Sequence, residues 1–154
     1  MLPSDKYLDI QTKKRYYKFF KRHIPEFQIC DTDGEMKAFV LTAITWLISQ
    51  TRDREKFPLI EEENINFGFS YNLLGLRPYG ISMSTLGILL NVFMAVLLHK
   101  GFVEIKIEIL VVGIIMNVLF LALWILIVNK KLVISCGRKY ARALLAACDS
   151  PYFD

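Results

Sequence analysis

Hydrophobic positions along this chain follow two different rules. In the first fifty residues they recur at steps of three and four, so each segment has one apolar face and one polar face. From Leu8 to His23 the run LDIQTKKRYYKFFKRH sets Leu8, Tyr16, Phe19, Phe20 and His23 on one side, with lysines and arginines elsewhere. This predicts a basic amphipathic helix, which has two available fates: lying on a membrane surface or packing onto the next helix. After Pro25, the stretch from Asp31 to Glu35 offers a cap and a turn. Met36, Phe39, Val40, Ala43, Ile44, Leu47 and Ile48 then predict a second amphipathic helix, too short and too two-faced to span a bilayer.

The second rule applies from Ile81, where apolar residues stop alternating with polar ones and fill the chain. Ile109 to Val128, ILVVGIIMNVLFLALWILIV, is twenty residues without a charge, and at about 1.5 Å per residue it matches the roughly 30 Å hydrocarbon core of a bilayer. Its fifteen Leu, Ile, Val and Phe residues favour insertion by roughly 4.5 to 9 kcal/mol before Asn117 is set against them. Ile81 to Leu98 carries ten such residues, favouring insertion by roughly 3 to 6 kcal/mol, and is opposed by Asn91, Ser82, Ser84 and Thr85. The ten residues from His99 to Glu108 join the two, so the spans run antiparallel and side by side.

These patterns predict an all-α membrane protein. Residues 1–80 form a small cytoplasmic helical module with a polar juxtamembrane segment, 81–128 a two-helix transmembrane hairpin, and 129–154 a short C-terminal amphipathic helix in the cytoplasm. The basic residues nearest the span ends set the orientation. Arg77, Lys130, Lys131, Arg138, Lys139 and Arg142 flank the outer ends, against Lys100 and Lys106 in the connection, which predicts cytoplasmic N- and C-termini in an inner membrane. The opening residues, Met-Leu-Pro-Ser-Asp-Lys, lack the apolar stretch of a secretory signal, in keeping with that orientation.

The spans repeat one another. Gly87-Ile88-Leu89-Leu90-Asn91-Val92 aligns with Gly113-Ile114-Ile115-Met116-Asn117-Val118, each with glycine and asparagine four residues apart on one helix face. In lipid a glycine lets a neighbour approach and an amide needs a partner, so Gly87, Asn91, Gly113 and Asn117 are the transmembrane interface candidates. Counted from the connection, the asparagines differ by only about 3 Å in depth, within reach of each other. The alternative is that they face other copies of the chain and line a polar seam or pore.

Composition changes this picture little. The chain has 154 residues, 54% of them hydrophobic, and a formal charge of +4. The positive charge sits in Lys13 to Arg22 and in Lys130 to Arg142. The second cluster follows a span directly, so Lys130, Lys131, Arg138, Lys139 and Arg142 are candidate contacts for lipid headgroups, and nucleic acid is not the expected partner. Cys30, Cys136 and Cys148 are odd in number and lack metal-ligand spacing, so neither a disulfide framework nor a metal site is predicted.

The stretch QTRDREKFPLIEEENINFGFSYNLLGLRPYG is dense in charge, aromatics, Asn and Gly. Arg52, Asp53, Arg54, Glu61, Glu62, Glu63 and Arg77 make either a solvated charged surface or a polar pocket beside the bilayer. No nucleophile, phosphate loop or metal spacing accompanies these acids, so no enzymatic activity and no cofactor are expected. From Gln50 to Leu76, followed by two spans, the chain resembles small, functionally uncharacterised bacterial membrane proteins; the resemblance covers most of the chain and implies no catalytic residues. Its layout, a cytoplasmic module on two spans, is similar to that of membrane effectors of antiphage defence. The expected function is therefore that of a membrane-anchored interaction or scaffold component that binds copies of itself or a larger protein. The alternative is an oligomeric membrane-perturbing or pore-forming effector.

Overall fold

The computed structural model describes residues 1–153 and is all-helical, with no strand among the described residues. Its elements are α1 (Ile10–His23), α2 (Asp33–Gln50), α3 (Pro58–His99), α4 (Ile107–Ala122), a π-helical turn (Leu123–Ile127) and α5 (Lys130–Ala146), then two short 3₁₀ turns. Two of the helices are long and apolar enough to cross a membrane: α3, and α4 continued through the π turn, together Ile107–Ile127.

The chain divides into two compact units, Met1–Asn64 with Arg138–Asp154, and Ile65–Gly137. In the first unit, α1 starts at Asp9, whose carboxylate accepts from the backbone N–H groups of Gln11 and Thr12 at 2.9 Å each. Lys21, Arg22 and His23 occupy its last turn, where positive charge complements the helix dipole. The helix stops because Ile24 precedes Pro25 and takes an extended conformation. Thr32 caps α2, its hydroxyl 3.0 Å from the Glu35 carboxylate, at capping-box spacing.

The core of this unit joins Tyr16, Tyr17 and Phe20 of α1 to Met36, Ala43 and Leu47 of α2, with Leu144, Leu145 and Cys148 from the C-terminal region packed into the same cluster. Of the two fates open to the first helix, its aromatic face takes protein. Phe19, His23, Trp46 and Phe153 make a second aromatic group, in which the His23 ring lies 4.3 Å from that of Phe19 and its Nε2 is 3.1 Å from the Phe153 carbonyl.

The decisive element of the second unit is α3, whose first turns belong to the first unit and which is 42 residues long, more than twice the stretch that composition marks as a span. It begins at Pro58, favourable as the first helical residue, and passes through Pro78 without ending. It ends in a Schellman motif. Gly101, at φ 74°, donates to the Leu98 carbonyl, and Phe102 donates to that of Leu97, both at 3.0 Å. Gly101 is where the left-handed backbone requires glycine. The π turn closes with Val128 N–H donating to Leu123 at 3.2 Å, and Asn129 Oδ1 caps α5 by accepting from Lys131 and Leu132.

Candidate functional site

The two apolar helices meet through the repeated glycine–asparagine pairs. A Cβ added to Gly87 would overlap the side-chain amide of Asn117, and one added to Gly113 would overlap that of Asn91. Each asparagine therefore lies over the other helix's glycine, and the contacts descend along α4 as they ascend along α3. Nδ2 of Asn91 donates to the Gly87 carbonyl and Nδ2 of Asn117 to the Gly113 carbonyl, both at 2.8 Å. The depth match suggests an asparagine-to-asparagine bond. What forms is reciprocal: each amide N–H turns back on its own helix, and each Oδ1 faces the opposing glycine backbone, where Cα–H groups supply weak donors. Both asparagines are half-buried.

A third contact extends this interface. The Trp124 indole lies against Gly80, where any Cβ would collide with the ring. Next to it, Arg77 Nε donates to the Trp124 carbonyl at 3.1 Å and Nη2 to the Ile125 carbonyl at 3.4 Å. These carbonyls belong to the last turn of a helix, which has no intrahelical partners for its final four acceptors and carries partial negative charge. Arg77 satisfies both needs. Sequence alone groups Arg77 with the nearby carboxylates, because the partner carbonyls are backbone groups 47 and 48 residues away.

The remaining charged candidates disperse. Arg54 pairs with Glu61 at 3.1 Å. Asp53 caps its own turn, accepting from the Glu55 and Lys56 backbone and from the Lys56 ammonium at 3.2 Å. The Lys56 bonds hold its carboxyl below the usual carboxylate range. Arg52 and Glu62 are exposed, while Glu63 is half-buried with Oε2 out of solvent and without a hydrogen-bond partner among the described residues. Among the basic residues assigned to lipid headgroups, Lys130, Lys131, Lys139 and Arg142 are exposed. Arg138 is engaged: it donates to the Tyr7 hydroxyl at 2.7 Å and sits 4.5 Å from that ring's centre.

One feature of the first unit has no counterpart in the sequence reading, a cleft of about 570 Å³ along α1 lined by Ile10, Lys13, Lys14, Lys18, Lys21 and Ile29. The lysine spacing places them on one face, but the cleft's far wall comes from Ile29 to Asp31, which only the turn after α1 brings near. The Lys13 ammonium is buried in protein and donates to the Pro3 and Asp5 carbonyls. Among the described residues, no group of three or more His, Cys, Asp or Glu side chains is gathered as a metal site would require. Cys148 is buried, and desolvation with Asp149 alongside pushes its thiol up to about 12.

Fold and site together define a class: an all-helical protein with two helices able to cross a membrane, closely packed through small and amide residues. Comparison with protein-family models, with curated proteins and with solved structures finds no match to this chain.

Proposed function

We propose that this chain is a bacterial inner-membrane protein. It crosses the bilayer twice as a hairpin, keeps both ends in the cytoplasm, and holds its helical module at the membrane as a binding component that associates with copies of itself. The observation that carries the anchoring is the exposure of the two apolar helices. Within the most apolar window of each, only 6% is buried inside the protein. A core helix of a water-soluble protein would have that surface covered by other elements, whereas lipid covers it here at no hydrophobic cost.

The reciprocal glycine–asparagine packing supports a hairpin that associates within one chain. Both amides are already committed to backbone groups inside the chain, which leaves them poorly placed to line a pore between copies. The six basic residues beside the outer span ends support the orientation.

Two measurements on the full chain test this. Alkaline washing of membranes should leave the protein in the pellet until detergent is added, and release by carbonate alone overturns the anchor. In lipid nanodiscs the native mass should be that of a dimer or larger, and a monomer overturns self-association while leaving the anchor intact.

A further inference from the structure

We infer that the exposed face of α3 from Ile65 to Met83 is the surface on which two copies of this chain pair in parallel. The inference rests on the self-association proposed above and names its surface. Ile65, Phe69, Asn72, Leu76, Tyr79 and Met83 recur at alternating steps of four and three, the spacing that keeps one seam facing a partner helix, and the same steps continue into the span. All six side chains are exposed: Ile65 is 59% exposed, Phe69 66%, Leu76 54% and Tyr79 69%.

Lipid does not explain the front of this stripe. The second apolar helix, Ile107–Ile127, is 21 residues, or roughly 31 Å, and already fills the hydrocarbon thickness. Its far end lies against Gly80 and is capped by Arg77, so the α3 residues before Arg77 stand beyond the span. Ile65, Phe69 and Leu76 would then face water in a single copy, as a contiguous apolar strip of the kind that marks a contact surface.

A second copy fits this strip better than an unrelated partner does. Both copies are threaded through the membrane in the same sense, so their α3 helices are parallel and identical residues meet across the two-fold axis. Asn72, the polar position in the seam, then faces its own copy and fixes the register by pairing amides. Gly68 and Gly75 flank the stripe seven residues apart, and a Cβ added to either would meet no other part of the chain within 4 Å, which leaves room for the partner backbone to come close. At half to two-thirds exposure each large stripe residue offers roughly 100 Å², so a pair extending into the span covers on the order of 1,000 Å² or more, enough for a specific interface.

Single cysteines placed in the full chain carrying Cys30→Ser and Cys136→Ser, oxidised in native membranes, test the seam. Phe69→Cys, Leu76→Cys and Tyr79→Cys should form disulfide-linked dimers at least fivefold more than the off-stripe, exposed Asn66→Cys and Tyr71→Cys. Gly75→Leu, which meets open space within one copy, should cut the Leu76→Cys cross-link at least tenfold without altering membrane insertion. Cross-linking that does not follow this period, or that survives Gly75→Leu, overturns the seam. If the native mass in nanodiscs is nonetheless a dimer, self-association stands and only its surface is wrong; a monomeric mass removes both.

Discussion

The two units of this chain place their large apolar side chains in opposite ways. In Met1–Asn64 with Arg138–Asp154, the large apolar side chains Phe20, Met36 and Leu47 are fully buried, and the charges of α1 other than Lys13 face outward. In Ile65–Gly137 the ordering is reversed: Leu89, Phe93, Ile109 and Leu126 point outward, and the residues between the helices are Gly80, Gly87, Asn91, Gly113 and Asn117. The first unit is held by the hydrophobic effect, which needs water outside. The second packs by close approach and backbone polar contacts, the driving force that would remain to it in the bilayer proposed above.

That contrast breaks most sharply in the first unit. Phe20→Ala removes a ring that is wholly inside the core and should cost about 3 to 5 kcal/mol, enough to unfold most of the unit, while α3 and α4 stay protected from protease in the membrane. Limited proteolysis of membrane vesicles reads both outcomes together. In the second unit, deleting bulk has less effect than adding it. Gly87→Leu drives a side chain into the Asn117 amide and should cost about 1 to 3 kcal/mol, read as a lower detergent-denaturation midpoint.

How far these differences can be read from sequence depends on which neighbours decide them. The two apolar stretches and most of the amphipathic face of α2 follow from local spacing; Ile48, which the same spacing sets on that face, is exposed at the helix end. The glycine–asparagine repeat is visible too, but which glycine meets which amide depends on the helix offset. The forward extension of α3 to Pro58 is hidden, because Gly68, Gly75, Pro78 and Gly80 all argue locally against a continuous helix. Contacts distant in sequence support it, among them Phe67 beneath Gly137, where a Cβ would come within 3.2 Å, and Arg77 on the carbonyls of Trp124 and Ile125. The α1 cleft is hidden for the same reason.

Smaller effects sharpen the comparison. Asp9→Ala removes the cap of α1 and should cost about 1 kcal/mol in the thermal stability of the first unit, with no effect on membrane insertion. Cys148 gives a pH test of the same core. Its folded thiol is raised to about 12, so burial favours the neutral form. The unfolded thiol ionises near its ordinary value of about 8.5. Stability from this group is therefore complete below about 8.5 and lost as pH rises from there toward 12. A maleimide at pH 8 should label the half-buried Cys30 and Cys136 well before Cys148, which should become reactive only when the first unit unfolds.

The most direct test of the two crossings is sidedness. In intact cells producing the full chain with Cys30→Ser and Cys136→Ser, a membrane-impermeant maleimide should label Glu104→Cys, in the connection between the apolar helices. It should reach Gln28→Cys only after the membrane is permeabilised. Labelling of both positions from outside, or protection of both until permeabilisation, contradicts two crossings with the ends inside.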